Sequence, residues 1–228
     1  MLIPILITIV AGYFIGAIPV GWLVARSQGI NIFEYGSGNP GATNVMRALS
    51  EKLGRKGKKF GYLVFVLDGI KGATATGWPI VAGGMNLFGA LDTAHLETLG
   101  LVGLAAAMLG NSFSCFTRFR GGKGVSTGAG GFLVLMPAPI AIALLVWWAV
   151  FEITRYVSLA SIIATASLPV TSLTMNLLWG NESRWIPSLV VAGLSAVATV
   201  FVVVRHRANI SRLMNGTENK FVKKRAGT

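Results

Sequence analysis

The chain is organised around one short polar stretch with three glycines: Gly36-Ser37-Gly38-Asn39-Pro40-Gly41-Ala42-Thr43-Asn44-Val45-Met46-Arg47. Glycine lets backbone N–H groups converge on one point, and such concave backbone binds anions. The hydroxyl and amide side chains add neutral donors, and Arg47 adds a planar cation that suits phosphate. We call Gly36–Asn44 the first glycine loop. It predicts a phosphate site, with an ordinary turn between two helices as the alternative. Its predicted ligands are Gly36, Ser37, Gly38, Asn39, Gly41, Thr43, Asn44 and Arg47.

The composition around this loop is that of a membrane protein. Of the 228 residues, 53% are hydrophobic and only 12% are charged. Several apolar runs approach the roughly 20 residues that span a bilayer. We therefore expect an all-α polytopic membrane protein, with residues 1–228 forming one domain. The net charge of +12 is interpreted as a cytoplasmic excess of cations and an attraction for anionic lipid or phosphate, not as nucleic-acid binding.

Few residues of this chain are suited to bind a metal. Cys115 is the single cysteine, and the two histidines, His95 and His206, lie far apart in sequence without an HExxH spacing. A disulfide framework and a cysteine-based zinc cluster are therefore excluded. We expect no metal and no cofactor.

Seven helical segments are predicted, at 2–25, 61–82, 98–112, 123–136, 139–153, 156–178 and 185–204. Pro137-Ala138-Pro139 is taken to divide one apolar run into two helices, because proline cannot continue the helix that precedes it. This count places the N-terminus outside and the C-terminus in the cytoplasm. It also places 17 of the 20 Lys and Arg residues on the cytoplasmic face. Residues 26–60 are interpreted as a cytoplasmic loop.

A second glycine loop, Gly121-Gly122-Lys123-Gly124, precedes the short fourth helix. Gly124 occupies the position where a Walker A loop has Ser or Thr, so this is a different loop. Open backbone donors beside Lys123, at the positive end of a helix, again predict an anion site. Its predicted ligands are Gly121, Gly122, Lys123, Gly124 and Ser126.

Two further sites are predicted from polar residues in apolar surroundings. Asp68 and Lys71 are three apart on one helix face, where they form a structural ion pair or where Lys71 faces the same anion as Arg47. His206 and Asn209 are one helical turn apart in the tail and can face the same point.

Five pieces of the chain, in order, resemble the bacterial acyl-phosphate:glycerol-3-phosphate acyltransferases. They are Gly36–Arg47, Leu67–Gly72, Phe119–Val125, Thr154–Leu159, and Arg205–Arg207 with Asn209 and Gly216–Glu218. The resemblance implies a seven-helix enzyme of phospholipid synthesis in the bacterial inner membrane, with its active site on the cytoplasmic face. The positions that match the family's motifs are Ser37, Thr43, Asn44, Arg47, Gly122, Lys123, His206 and Asn209.

The resemblance also implies the reaction: acyl transfer from acyl phosphate to glycerol 3-phosphate, which gives lysophosphatidic acid and phosphate. Acyl phosphate is already activated, so we expect positioning and charge stabilisation rather than covalent catalysis. The two loops would hold one phosphate with Lys123, and Arg47 with Lys71 or a tail residue would hold the other. His206 is the candidate base, with the departing phosphate as an alternative proton acceptor and Ser37 as an alternative nucleophile.

The chain departs from the family pattern at three positions. Asn111 stands for a histidine, Ser114 for a proline and Ala208 for a glutamate, and the basic stretch at 51–60 is unusually long. Two rival functions therefore stay open: an organic-phosphate transporter, and an inactive scaffold that binds lipid phosphate.

Overall fold

The computed structural model of the chain describes residues 1–179 and 188–221. These residues form ten α-helices, and no β-strand occurs among them, so the prediction of an all-α protein is confirmed. The first unit, Met1–Leu135, holds six of these helices, and the described part of the second, Met136–Thr228, holds the other four. The single domain stays a prediction. The helices are α1 (Leu2–Ala17), α2 (Val20–Ser27), α3 (Ala42–Leu53), α4 (Gly57–Gly84), α5 (Thr93–Ser112), α6 (Val125–Leu135), α7 (Pro137–Thr154), α8 (Val157–Trp179), α9 (Leu189–Arg205) and α10 (Arg207–Met214).

Several helical stretches in the described residues are long and apolar enough to cross a membrane. Four do so singly: Leu2–Ser27, Thr93–Thr117, Pro137–Thr154 and Val157–Trp179. Helices α9 and α10 meet at an angle of 60° and make a fifth if they are counted together. The count of seven segments and the sides of the two termini stay predictions.

The first predicted span, residues 2–25, consists of two helices. Helix α1 ends at Ala17 and α2 begins at Val20. Pro19 has no backbone N–H and restricts Ile18 to extended backbone, which is seen as φ −53° and ψ 114° at Ile18. The prediction of one continuous helix was therefore wrong at this proline.

Residues 26–60, predicted as a loop, contain a helix of 12 residues, α3. Val45, Ala48 and Leu49 are fully buried. They are three or four positions apart and form one apolar face, which packs in a hydrophobic cluster with residues of α2 and α4. The glycine-rich and basic ends of the segment concealed this short amphipathic helix.

Small residues let α1 and α5 approach closely. A Cβ on Gly16 would collide with the backbone of Ala107, and a Cβ on Gly12 would lie 2.9 Å from the carbonyl oxygen of Gly103. This close packing fixes the end of α5, which carries Asn111.

Helices α6 and α7 are separate, as predicted from the prolines. Pro137 is the first residue of α7, and Met136 before it has φ −147°, outside the helical region. In the second unit, α7 and α8 are joined by a hydrogen bond of 3.1 Å from Trp147 Nε1 to Ser161 Oγ. Thr199 Oγ1 on α9 donates to the Thr165 carbonyl oxygen on α8 at 2.9 Å.

Candidate active site

The first glycine loop is held in shape by Asn44. Its Oδ1 accepts a hydrogen bond from the Ser37 N–H at 3.2 Å, and its Nδ2 donates to the Tyr35 carbonyl oxygen at 2.8 Å. Gly36 and Gly38 have φ values of +56° and +65°, a region that strains any residue with a Cβ. Asn44 is buried, so both ends of its amide shape the loop, and its predicted contact with substrate stays a prediction.

Asn39 joins the two glycine loops, although its partner is 82 positions away in the sequence. Its Nδ2 donates to the carbonyl oxygen of Gly121 at 3.2 Å, and its Oδ1 accepts from the Gly41 N–H at 2.9 Å. Arg120 adds a second link, because its guanidinium carbon lies 4.3 Å from the ring centre of Phe33. The two loops predicted separately from the sequence therefore form one structure.

The second glycine loop lies against Asn111 at the end of α5. The Gly122 N–H donates to the Asn111 carbonyl oxygen at 2.9 Å. A Cβ on Gly121 would collide with that same oxygen, and a Cβ on Gly122 would lie 2.8 Å from Asn111 Nδ2. Gly124 has φ +79°. Glycine is therefore needed at all three positions, for close approach at two and for backbone conformation at one.

Each loop leads directly into the N-terminus of a helix. The first precedes α3, with 12 residues, and the second precedes α6, with 11 residues. The first N–H groups of a helix have no partner inside it, and the helix dipole adds partial positive charge there. Each loop therefore has backbone donors at its helix end that suit an anion.

Cations and hydroxyls stand beside these donors. Arg47 lies on α3 four positions after Thr43, so the two side chains share one face of the helix. Lys123 lies two positions before Val125, the first residue of α6, and Ser126 follows Val125. Both side chains are partly buried. Ser37 is exposed, and its hydroxyl makes no hydrogen bond to another residue of the first unit. The first unit thus combines backbone donors, two cations and three hydroxyls in and around the joined loops.

Lys71 is engaged in a buried cluster. Its Nζ lies 2.8 Å from Asp68 Oδ1 and donates to Asn111 Oδ1 at 2.8 Å and to the Ile18 carbonyl oxygen at 3.0 Å. An ammonium has three donors, so these three partners satisfy it. The adjoining cleft has a volume of about 10 Å³, space for one water molecule. The geometry favours a structural ion pair, and the predicted contact of Lys71 with an anion stays a prediction.

In the second unit, His206 lies between the end of α9 and the start of α10. It is buried, with 3% of its surface exposed, and its Nδ1 lies 2.8 Å from the Val202 carbonyl oxygen. A carbonyl oxygen only accepts hydrogen bonds, so we assign the proton of the neutral ring to Nδ1. The lone pair is then on Nε2, which is the tautomer that suits a general base.

Asn209 belongs to a cluster around the carboxylate of Glu218. Its Nδ2 donates to Glu218 Oε1 at 2.7 Å, and Ser158 Oγ donates to the same oxygen at 2.8 Å. Arg212 Nε donates to the other oxygen at 2.7 Å. Burial raises the pKa of Glu218, but the hydrogen bonds from Asn209, Ser158 and Arg212 outweigh it and hold this pKa below its ordinary value. The last two matched motifs therefore meet at Glu218.

Comparisons with known proteins identify the family of this chain. The family model for glycerol-3-phosphate acyltransferase matches residues 6–216. The chain belongs to the glycerol-3-phosphate acyltransferase family. The glycerol-3-phosphate acyltransferase of Fusobacterium nucleatum is 41% identical over 93% of this chain and 96% of the relative. That of Desulforamulus reducens is 40% identical over 95% of each. The predictions of this family and of an acyltransferase enzyme are confirmed.

Solved structures of an acyltransferase also resemble this chain. One is the glycerol 3-phosphate form of PlsY, an integral membrane glycerol 3-phosphate acyltransferase, with a TM-score of 0.76 and 34% identity over 96% of both chains. The lysophosphatidic acid form of the same enzyme gives a TM-score of 0.74 and 34% identity, over 96% of this chain and 95% of the other. The integral membrane class predicted from the composition is therefore confirmed.

The three departures from the pattern of the acyltransferase family have structural explanations. Asn111 accepts from Lys71 with its side chain and from the second glycine loop with its backbone. Ser114 is buried, and its hydroxyl donates to the Ala17 carbonyl oxygen. Ala208 is exposed on α10. Each position fits the fold that this acyltransferase has.

The sequence reasoning missed two residues at the joined loops of the first unit and one residue in the second unit. Arg120 stacks on Phe33, Asn111 holds the second loop, and Glu218 holds Asn209. Arg120 and Asn111 contact residues that are not their neighbours in sequence. Glu218 and Asn209 are close in sequence, but Glu218 was noted only as part of a matched motif. Within residues 1–179 and 188–221, no group of three His, Cys, Asp or Glu side chains is placed to hold a metal ion.

Proposed function

We propose that this acyltransferase transfers a fatty acyl group from acyl phosphate to glycerol 3-phosphate. The products are 1-acylglycerol 3-phosphate (lysophosphatidic acid), for phospholipid synthesis, and phosphate. The observation that carries the proposal is the hydrogen bond from Asn39 to Gly121, which joins the two glycine loops, each predicted to bind an anion at a helix N-terminus. The acceptor and the product are supported by PlsY, which was solved in a glycerol 3-phosphate form and a lysophosphatidic acid form.

The reaction does not require a covalent intermediate with the protein. The acceptor hydroxyl oxygen attacks the acyl carbonyl carbon, and the bond from that carbon to the phosphate oxygen breaks. Phosphate departs with the electron pair of that bond. The hydroxyl proton goes to Nε2 of His206 or to the departing phosphate. Such a reaction depends on orientation of two anions and stabilisation of the developing charge.

The roles of the binding residues follow from their chemistry. The N–H groups of Ser37, Gly38, Gly41 and Gly122 already donate within the protein. The backbone N–H groups in the first turns of α3 and α6 therefore bind one substrate phosphate together with Lys123, and Arg47 with Thr43 binds the other. A forked guanidinium holds two phosphate oxygens at once, which a lysine ammonium does not. The Ser37 hydroxyl, which makes no hydrogen bond within residues 1–135, donates to a substrate oxygen, with acylation of Ser37 as the alternative. Asn209 orients the acceptor.

We further propose that the enzyme crosses the bacterial inner membrane several times and carries its active site on the cytoplasmic face. The support is the distribution of charge, because 17 of the 20 Lys and Arg residues fall in three segments, 26–60, 118–123 and 205–225. Glycerol 3-phosphate then reaches the site from the cytoplasm, and acyl phosphate reaches it from the surrounding membrane lipid.

Product formation with two donors tests the proposal. The purified protein in lipidic mesophase receives glycerol 3-phosphate with either palmitoyl phosphate or palmitoyl-CoA, and lysophosphatidic acid is measured by mass spectrometry. We expect product from palmitoyl phosphate only. Lys123→Ala should lower the rate at least 100-fold, because removing one donor that stabilises the charge developing in a transition state typically has an effect of about this size. The matched control is Lys58→Ala, an exposed lysine outside both loops, which should keep the full rate.

Two results would contradict the proposal. Product from palmitoyl-CoA alone would show that the donor is wrong. No product from either donor, in folded protein that still binds palmitoyl phosphate, would favour a scaffold that binds lipid phosphate.

A further inference from the structure

A basic groove outside the glycine loops lies where α3 ends and α4 begins. It has a volume of about 1100 Å³. Three cations line it, Arg55, Lys56 and Lys59, and its other residues are Leu53, Phe60, Leu63 and Gln28. None of these residues belongs to the candidate active site, so the groove is a separate feature of the first unit.

The three cations of the groove have no partner in the described part of the protein. Arg55, Lys56 and Lys59 are exposed, and within residues 1–179 and 188–221 none of their side chains makes a hydrogen bond or ion pair. Lys52 differs, because its Nζ donates to the Gln28 carbonyl oxygen at 2.6 Å and so fixes one wall. The groove therefore combines a fixed wall with a concentration of uncompensated positive charge.

The groove also lies at the boundary between charged and apolar surface. Residues 51–60 hold five Lys or Arg, whereas the next turns of α4 expose apolar side chains. These are Tyr62, Leu63, Phe65 and Val66, with 44% to 62% of their surface exposed. An integral membrane protein presents such side chains to lipid, with its cations at the level of the headgroups. The occupant must accordingly have an anionic end and an apolar end.

We propose that this groove binds an anionic phospholipid, with its phosphate between Arg55, Lys56 and Lys59 and an acyl chain against Phe60 and Leu63. The charge is complementary, and the apolar lining matches an acyl chain. An acidic protein surface would satisfy the cations but leave the apolar lining and the adjacent exposed face of α4 in contact with water. The lipid makes both contacts at once.

Adjacent lysines provide a matched test. Lys59 lines the groove, whereas Lys58 is also exposed and does not. Delipidated protein in detergent is titrated with dioleoyl-phosphatidylglycerol or dioleoyl-phosphatidylcholine, and bound lipid is counted by native mass spectrometry. We expect tighter binding of phosphatidylglycerol. Lys59→Gln should raise the Kd for phosphatidylglycerol about fivefold, since one cation near an anionic lipid contributes about a factor of five to the affinity. Lys58→Gln should raise this Kd less than twofold.

Further arms separate the lipid from other anions. Inorganic phosphate at the same concentration should not displace phosphatidylglycerol, because it cannot use the apolar lining. Arg55→Gln with Lys56→Gln and Lys59→Gln should lose the preference over phosphatidylcholine. All substituted side chains are exposed, and an unchanged melting temperature confirms the fold. Equal loss in Lys58→Gln and Lys59→Gln, displacement by inorganic phosphate, or an unaltered preference in the triple variant would each overturn the proposal.

Discussion

Replacement of Lys71 tests whether its cluster supports the fold or binds substrate. The Nζ lies 2.8 Å from Asp68 Oδ1, and only 7% and 12% of the two side chains are exposed. Lys71→Met would leave the Asp68 carboxylate buried without its cation, which costs about 3–5 kcal/mol. At roughly 2–4 °C per kcal/mol for a chain of this length, we expect the melting temperature to fall by about 10 °C.

A second change should repair the first. Asp68→Asn combined with Lys71→Met removes both charges, and the amide introduced at position 68 still makes hydrogen bonds. We expect the double variant to recover most of the melting temperature, measured by differential scanning fluorimetry in detergent. Its rate of product formation should recover with stability, because a structural pair affects turnover only through the fold.

The opposite pattern would refute the structural assignment. If Lys71 binds a substrate phosphate, the double variant regains stability but not activity. The KM for one phosphate substrate would then stay raised at least tenfold, about 1.4 kcal/mol. Asp68→Asn alone is the control, since it keeps the lysine.

The remaining predictions concern the loops and the Glu218 cluster. Gly121→Ala drives a Cβ into the backbone at the end of α5, so the KM for the substrate whose phosphate the loops bind should rise about tenfold. Gly193→Ala, on α9 with open space around it, should leave the KM unchanged. Asn39→Ala removes two hydrogen bonds, each contributing about 0.5–1.5 kcal/mol; steady-state kinetics should show kcat/KM lowered about tenfold. The pKa of Glu218 in the folded protein is below its ordinary value. The ionised carboxylate therefore stabilises the fold above about pH 4.3, and this contribution is lost as the pH falls through the folded pKa. Glu218→Gln should therefore reduce the loss of melting temperature between about pH 6 and pH 3, and an identical loss in both proteins would refute that role.

Local signals explain what could be predicted of the fold. The break before Pro137 was predicted because proline cannot continue a helix, and α6 does begin at the second glycine loop. The same rule applied to Pro19 would have divided the first span. Helix α3 was also readable from the spacing of Val45, Ala48 and Leu49, but the glycines and cations around it dominated the interpretation.

Tertiary contacts explain what could not be predicted of the site. Each glycine loop indicated an anion site by itself, but nothing in the spacing of Asn39 and Gly121 indicated that they meet. Lys71 and Asp68 were paired correctly by helix periodicity. Asn111, which completes their cluster, is 40 positions from Lys71. Contacts of this range depend on the packing of whole helices rather than on local pattern.

A double-mutant cycle between the loops tests most directly the claim that they form one phosphate site. Asn39→Ala changes the first loop, Gly122→Ala changes the second, and kcat/KM for glycerol 3-phosphate and for palmitoyl phosphate is measured for each variant and for the pair. If both loops bind the same phosphate, the effects are coupled by about 1 kcal/mol or more, roughly fivefold. Effects that add within about 0.5 kcal/mol would contradict a shared site.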